Sequence, residues 1–205
     1  MLRIKYFIRQ SWLLIVASFC FGLLIAIANA AWSPRIQQNK FEKIKSLMAG
    51  LLPQAAKFNL EKTIVIKSAK GKTIKTNIYR ALSDTNSTLG YSFNCQGPGF
   101  ADKIELIVAV DGNFEKIAGF DCLASNETPG FGDQIKSDYY RNQFKSAPAE
   151  KLTLVKQGNE KNIDAEIVAI SGATVSSEAV IKIINQSLPQ IKNQMKEEGL
   201  ISNGQ

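Results

Sequence analysis

The sequence has 205 residues, with 25 Lys and Arg against 18 Asp and Glu, a formal net charge of +7 and no histidine. Without histidine the chain lacks the commonest metal ligand and general base, which argues against zinc hydrolases and Ser-His-Asp chemistry. The basic residues are scattered, with no Arg-rich block and no alternation with aromatic residues, so nucleic-acid binding is not indicated. The excess of positive charge is compatible with an anionic lipid surface or a phosphate-bearing ligand, and solvated lysines on exposed faces are the simpler interpretation.

An apolar stretch, WLLIVASFCFGLLIAIANAA, runs from Trp12 to Ala31 without a charged residue. About 20 apolar residues span the hydrocarbon core of a bilayer as a helix. Three basic residues lie within the first nine positions, and the first acidic residue is Glu42. The positive-inside rule therefore predicts a cytoplasmic N-terminus 1–10, a transmembrane helix 11–32 and a remainder outside the cytoplasm.

The same stretch has a second interpretation, as a cleaved secretory signal. Ala28-Asn29-Ala30 fits the A-x-A pattern of a signal-peptidase site. The apolar run is longer than the core of an ordinary signal peptide, which favours a retained single-pass anchor in the inner membrane. Either interpretation exports residues 33–205 to the periplasmic, extracytoplasmic side.

Helical and strand patterns alternate behind the apolar stretch. Apolar residues at three- and four-residue steps predict a juxtamembrane helix or linker over 33–55, stopped by Pro53. A β-hairpin follows, with strands at 63–66 and 74–79 that turn near Lys70-Gly71.

The rest of the chain predicts more strands than helices. GYSFNCQGPGF predicts a short strand ending in a Gly-Pro-Gly turn at 97–99. The next predicted elements are strands at 104–110 and 116–123 joined through Asp111-Gly112-Asn113, an amphipathic stretch at 139–144, strands at 151–155 and 165–170, and a helix from Val175. The order predicts an α+β domain over 56–197, with a mainly antiparallel sheet flanked by helices and a polar tail at 198–205.

Two cysteines, Cys95 and Cys122, lie in the exported part of the chain. An oxidising compartment permits a disulfide between them. Two buried thiols are the alternative, because the sequence does not show whether the two Cα atoms are close enough to be bridged.

The segment AISGATVSSEAV, residues 169–180, places the turn Ser171-Gly172-Ala173-Thr174 between an apolar strand and a helix. Ser and Thr are ordinary N-caps, so capping is the simpler interpretation of the turn taken alone. The unpaired N–H groups and the macrodipole of a helix N-terminus also form an anion site, and Gly172 lets the backbone approach a ligand. The turn alone leaves both interpretations open.

A second glycine-containing segment, ETPGFG, covers residues 127–132. Pro129 fixes an extended approach, and two glycines flank Phe131, which exposes backbone beside one apolar side chain. Such a segment forms either a surface loop or the wall of a pocket for a flat ligand.

Together, NETPGFGDQI, SGATVSS and the N-terminal apolar stretch resemble the FMN-binding domain family. Its members include the G subunit of the Rnf electron-transport complex and the C subunit of the sodium-pumping NADH:quinone reductase, and the compact length is closer to the Rnf member. In that family a flavin transferase, using FAD as donor, joins FMN through its phosphate to the Thr that ends the S/T-G-A-T motif. The resemblance therefore implies covalent FMN on Thr174, bound beside Ser171, Gly172 and Ala173.

The family's E-T-P-G-x-G loop lies against the flavin. Carried over to this chain, the resemblance implies a set of further cofactor-binding residues, namely Glu127, Thr128, Gly130, Phe131 and Gly132. The usual loop has Leu where this chain has Phe131, which preserves an apolar contact and permits stacking on the isoalloxazine ring.

Val168 is a second departure, because the family usually has an acid three residues before the S/T-G-A-T turn. Asp164 and Glu166 are nearby but out of register. If the transferase recognises that acid, attachment at Thr174 is slow or absent, and FMN then binds without a covalent bond.

The resemblance implies a membrane-anchored electron carrier without a stand-alone catalytic site. In an Rnf-like ion-translocating complex, it would pass electrons between other membrane subunits, on the path between ferredoxin and NAD. The sequence has no CxxC and no nucleotide-fold glycine motif, so no iron–sulfur or NAD site is indicated. Two alternatives remain: an exported flavoprotein of another electron-transfer path, and a cofactor-free anchored interaction module.

Overall fold

A computed structural model describes residues 2–67, 71 and 73–201 of the chain. Lys70 of the predicted hairpin turn and positions 202–205 of the predicted tail lie outside the described residues, as does Met1. The chain divides between Lys43 and Ile44 into two compact units.

Among the described residues, a long helix is followed by five strands, three short helical segments, two short strands and a C-terminal helix. In chain order these are α1 (Leu2–Leu51), β1 (Lys57–Lys67), β2 (Thr73–Leu82), β3 (Thr88–Pro98), β4 (Lys103–Asp111), β5 (Ile117–Ser125), a 3₁₀-helix (Gly132–Lys136), α2 (Asp138–Arg141), a second 3₁₀-helix (Asn142–Phe144), β6 (Thr153–Val155), β7 (Glu166–Val168) and α3 (Thr174–Glu197). The prediction of an α+β fold after one long apolar helix is confirmed.

The first unit contains helix α1 as far as Lys43, and the last turns of the helix belong to the second unit. The helix continues through Pro34 although the sequence suggests that a new helix begins there. A proline removes one backbone hydrogen bond from a helix interior, and this helix tolerates the loss. Within the described residues, the segment Gln10–Leu51 is long and apolar enough to cross a membrane, and its most apolar window has a mean hydropathy of 2.4 and no buried residue. A signal sequence near an N-terminus shares these properties.

The second unit is built on an antiparallel sheet in which the order β1-β2-β3-β4-β5 follows the order of the chain. Strand β1 begins at Lys57, before the predicted start at 63. A register shift between Leu60 and Lys62 interrupts the pairing of β1 with β2. This bulge breaks the two-residue alternation on which the sequence prediction relied, and so hides the first half of the strand.

Strand β3 is longer than the short strand predicted, and it contains Gly90 and also Gly97, which the sequence suggests as a turn residue. A β-carbon at Gly90 would lie 2.3 Å from the carbonyl oxygen of Val110, and one at Gly97 would lie 2.6 Å from Ile183 Cγ1. Both glycines therefore allow a close approach in the sheet. The turn falls later, where the N–H of Gly99 donates to the carbonyl of Asp102.

The two faces of the sheet carry separate apolar clusters. One face packs on α3 and on an edge-to-face aromatic group in which Phe144 lies 4.7 Å from Phe120 and 5.4 Å from Tyr140 between ring centroids. The other face contacts the last turns of α1, where Met48 is buried against side chains from three strands, namely Tyr79, Ile107 and Leu123.

Helix α3 starts at Thr174 and continues past Pro189 to Glu197. It is tied to the edge strand β1, because the side-chain amide of Gln190 both accepts from the N–H and donates to the carbonyl of Lys67. Beyond the helix, Ile201 is buried in the core. The parallel pair β6–β7 leads into the turn before α3.

Cys95 and Cys122 are buried thiols on β3 and β5, and no disulfide joins these two described residues. Each of them pairs with Leu106, from opposite sides of β4. Their Cα atoms are therefore two interstrand spacings apart, roughly 9–10 Å, which is beyond the reach of a disulfide. Burial raises the pKa of the Cys95 thiol to about 12, so this thiol stays protonated.

The packing of Met48 predicts that the end of α1 stabilises the sheet domain. Met48→Ala removes a side chain that is 1% exposed, so it should lower the free energy of unfolding by about 2–5 kcal/mol. Lys45→Ala, at an exposed position of the same helix, should change it by less than about 0.5 kcal/mol. Chemical denaturation of the full chain in detergent, followed by circular dichroism, measures both values; equal effects would contradict the assigned packing.

Candidate functional site

Three segments that are distant in the sequence meet around one pocket of about 430 Å³. They are the turn after β3, the loop after β5 and the first turn of α3. The pocket is lined by Phe100, Thr128, Phe131, Gly132, Gly172, Ala173, Thr174, Val175 and Ser176. The structure thus brings together six of the residues predicted from the sequence, at positions 128, 131, 132, 172, 173 and 174.

The other three predicted residues lie next to the pocket without lining it. Ser171 and Gly130 are exposed, and Glu127 is buried behind the wall. Sequence analysis missed Phe100, Val175 and Ser176, which do line the pocket. A large aromatic residue directly after Gly-Pro-Gly is the signal that marks Phe100.

The start of α3 is not capped by either hydroxyl of the Ser171–Thr174 turn. The N-cap residue is Ala173, with φ −135° and ψ 36°, and no side chain caps it. Ser177 secures the turn from inside the helix, because its hydroxyl donates to the carbonyl of Ala173 and accepts from the N–H of Ile170, at 3.0 and 3.1 Å. The capping interpretation therefore does not explain why a hydroxyl stands at Thr174.

Thr174 is exposed at the first position of this 24-residue helix. Within the described part of the chain, its hydroxyl makes no hydrogen bond. The first N–H groups of a helix have no partner inside it, and the macrodipole favours a negative charge beside them. A phosphate carried on the Thr174 oxygen would lie next to these donors.

Gly172 has a left-handed backbone, with φ +78°, and its position suits glycine for a second reason. A β-carbon there would lie 3.5 Å from Cδ1 of Phe131, so the phenyl ring covers the turn. The two glycine-containing segments that the sequence predicts to act together therefore lie side by side, with the Phe131 ring next to Gly172.

The loop after β5 is stabilised by hydrogen bonds to its own carbonyl groups. The carbonyl of Thr128 accepts from the N–H groups of Phe131 and Asp133, at 3.2 and 3.3 Å, and the side chain of Gln134 donates to the carbonyl of Gly130 at 2.8 Å. Gly130 has φ +78°, which favours glycine. The fold of this loop leaves the Phe131 ring 57% exposed on the pocket side.

Glu127 is a buried carboxylate, 5% exposed, whose two oxygens bond to two other segments of the site. Oε1 accepts from the N–H of Ala101 at 3.1 Å, and Oε2 accepts from the hydroxyl of Ser176 at 2.5 Å. Its contacts are therefore within the protein, behind the pocket wall.

The side chains that line the pocket are all uncharged. Phe100, Phe131 and Val175 are apolar and at least half exposed, at 68%, 57% and 53%. Asp102 lies in the same turn as Phe100. Two hydrogen bonds lower the pKa of its carboxyl, the larger effect coming from the backbone of Lys103 and the smaller from the side chain of Asn126. The pocket thus combines apolar walls with backbone donors at one end, which suits a flat ring joined to a phosphate.

Val168, at the position where the resemblance leads us to expect an acid, is the last residue of β7. The side chain of Gln143 holds its backbone on both sides, accepting from its N–H at 2.8 Å and donating to its carbonyl at 3.3 Å. The approach to the Ser171–Thr174 turn is therefore fixed through backbone contacts, without a carboxylate at this position.

A family model for the FMN-binding domain matches residues 99–189. This range begins at the turn that carries Phe100 and ends within α3, so it contains all three segments of the pocket.

Named relatives match over most of the chain. The G subunit of the proton-translocating ferredoxin:NAD(+) oxidoreductase complex of Clostridium ljungdahlii is 33% identical over 181 residues, which is 87% of this chain and 88% of the relative. The G subunit of the ion-translocating oxidoreductase complex of Methanosarcina acetivorans is 25% identical over 181 residues, or 88% and 92% of the two chains.

Two solved structures share the fold. Shewanella oneidensis NqrC superposes with a TM-score of 0.57 at 24% identity, over 70% of this chain and 72% of its own. The C subunit of the Na(+)-translocating NADH-quinone reductase of Parabacteroides distasonis superposes with a TM-score of 0.56 at 18% identity, over 83% and 98%. With its three-segment pocket, its matching domain and a relative along nearly its whole length, the chain belongs to the FMN-binding domain family, as a relative of the G subunits of ion-translocating oxidoreductases.

Proposed function

We propose that the protein is a membrane-anchored electron carrier that holds FMN covalently, through the flavin's phosphate, on Oγ1 of Thr174. The observation that carries this proposal is the position of Thr174, whose exposed hydroxyl stands at the first residue of a long helix and lines the pocket. We propose further that it acts as the G subunit of an ion-translocating ferredoxin:NAD oxidoreductase complex, as the names of its relatives suggest.

The residues of the pocket fit both halves of FMN. The N–H groups at the start of α3 and the flexible backbone of Gly172 suit the phosphate. Phe100, Phe131 and Val175 offer apolar surface for a planar ring. Bound FMN supplies the redox chemistry, and the residues of the chain position it.

Attachment requires a second protein, a flavin transferase that uses FAD. Thr174 supplies the nucleophilic oxygen: a bond forms between Oγ1 and the phosphorus of the FMN half, the pyrophosphate bond of FAD breaks, and AMP leaves. The proton of the hydroxyl passes to a base of the transferase, because the pocket lining contains no titratable side chain.

Among the described residues, no group of three or more His, Cys, Asp and Glu side chains forms a metal site.

The apolar part of α1 fits a retained anchor that holds the domain at the outer surface of the membrane. A covalent tether suits such a location, because a cofactor lost outside the cytoplasm is not recovered. The partners implied are the other membrane subunits of the complex, with the transferase needed only during maturation.

In-gel flavin fluorescence tests the attachment site. Full-length protein made together with a flavin transferase should give a fluorescent band after denaturation, and Thr174→Ala should abolish it because the acceptor oxygen is gone. Ser171→Ala and Thr128→Val, which remove neighbouring hydroxyls, serve as matched controls and should stay fluorescent. A fluorescent Thr174→Ala band would place the attachment elsewhere, and a wild-type protein that is colourless when native would refute flavin binding.

The replacement of the usual acid by Val168 should slow attachment. Val168→Asp restores a carboxylate that the transferase can recognise, so the initial rate of flavin incorporation into purified apo-protein should rise. Val168→Asn has nearly the same shape without the charge and should leave the rate at the wild-type level. Equal rates for all three proteins would show that the transferase does not read this position.

Reporter fusions test the membrane topology. Alkaline phosphatase folds to an active form outside the cytoplasm and green fluorescent protein fluoresces inside it, so a C-terminal phosphatase fusion should be active and a fluorescent fusion dark. The chain should stay in the membrane pellet after carbonate extraction, and mass spectrometry should find an intact N-terminus. A mature chain starting after Ala30 would instead establish a cleaved signal.

A further inference from the structure

We propose that Glu127 is a positioning residue, a buried latch that joins the three segments of the pocket and thereby holds Phe100 in place as an apolar wall beside the flavin ring. For the identity of the ligand this inference rests on the function proposed above. The latch itself is a property of the protein alone and can be tested without cofactor.

The carboxylate of Glu127 makes two directed contacts with two different segments. Oε1 accepts from the N–H of Ala101, in the turn after β3, and Oε2 accepts from the hydroxyl of Ser176, in the first turn of α3. Glu127 itself belongs to the third segment, the loop after β5. One side chain therefore connects all three parts of the pocket, and hydrogen bonds to a carboxylate are stronger than those between neutral groups.

Two glycines make room for this carboxylate. A β-carbon at Gly99 would lie 2.3 Å from Glu127 Oε1, and one at Gly132 would lie 2.8 Å from Oε2 and 2.6 Å from Ser176 Oγ. The backbones of the turn and of the loop thus press directly against the carboxylate. Gly132 therefore serves the latch as well as the pocket wall.

A second tie strengthens the contact between the loop and the turn. The side-chain amide of Asn126 donates to Oδ2 of Asp102 at 2.9 Å. This contact joins the same two segments as the bond from Ala101 to Glu127, but it does not reach α3. Of these two ties, the one through Glu127 also connects α3, the helix that begins with the proposed attachment site at Thr174.

Phe100 depends on this arrangement for its position. It lies in the turn 99–102, its side chain is 68% exposed, and no ring-to-ring contact of Phe100 occurs among the described residues. Its place at the pocket is therefore set by the backbone of the turn, which the latch holds against α3. Replacement of Glu127 should release the turn and move this wall away from the ligand.

The test compares Glu127→Ala, Glu127→Gln, Ser176→Ala and Phe100→Ala in the full-length protein with attached flavin. Iodide quenching of flavin fluorescence measures how much of the ring is open to solvent. Pockets bury about 70–90% of a ligand, so loss of one wall in Phe100→Ala or Glu127→Ala should raise the quenching constant about twofold. Glu127→Gln can still accept from Ala101 and pair with Ser176, and should remain close to wild type.

The midpoint potential of the flavin is a second measurement, and it would not change if Glu127 acted only as a structural link. A buried carboxylate near the flavin opposes the negative charge added on reduction. Glu127→Gln should therefore raise the midpoint potential while leaving the quenching constant unchanged. Glu61→Ala is the control, because it removes another carboxylate of the same domain, the ion-pair partner of Arg80 where β1 pairs with β2, and should change neither quantity.

Hydrogen exchange on the cofactor-free protein tests the latch separately from flavin binding. Exchange of the Ala101 amide should accelerate in Glu127→Ala and stay slow in Glu127→Gln; Ser176→Ala should give a smaller acceleration, and it replaces Glu127→Ala if that variant does not fold. An unchanged Ala101 amide in Glu127→Ala, or an unchanged quenching constant, would overturn the inference. Absence of flavin from the wild-type chain would refute the proposed function and leave the exchange result to decide on the latch.

Discussion

The close packing of α3 on strand β3 is the constraint on which the pocket depends. Gly97 has no side chain, and Ile183 occupies the space where one would be. This contact brings the helix directly onto the sheet, so that its N-terminus reaches both the turn that follows β3 and the loop that follows β5. A β-carbon at position 97 would lie 2.6 Å from Ile183 Cγ1, so the Ile183 side chain or the helix that carries it would have to shift.

The features that sequence analysis identified are those set by local chemistry. A strand, a small-residue turn and a helix follow one another around Thr174, so this turn can be located without knowing the fold, whereas a role for Thr174 as flavin acceptor is implied by the family resemblance. The same holds for Thr128, Phe131 and Gly132, whose glycine- and proline-containing loop is distinctive along the chain.

The features that sequence analysis missed depend on contacts between distant segments. Read locally, Gly97 indicates a turn, yet it lies inside β3. A glycine suits this strand position because Ile183 occupies the space that a side chain would need. Ser176 reads as one more polar residue of a helix, and its role becomes visible only when Glu127 is found opposite its hydroxyl. The first half of β1 was hidden for a different reason, since the bulge after Leu60 removes the alternation by which strands are recognised.

The proposed covalent tether would change what the rest of the site has to do. When Thr174 holds the cofactor, the pocket does not need the affinity that would keep a freely dissociating ligand, so its walls can be uncharged and partly open. The remaining tasks are to orient the ring and to set its potential. Under the proposed function both would fall to residues that do not bear the tether: Phe100 and Phe131 would offer apolar surface to the ring, and Glu127 would hold one wall from behind. Anchoring and tuning would then belong to different residues, and the potential could be altered without loss of the cofactor.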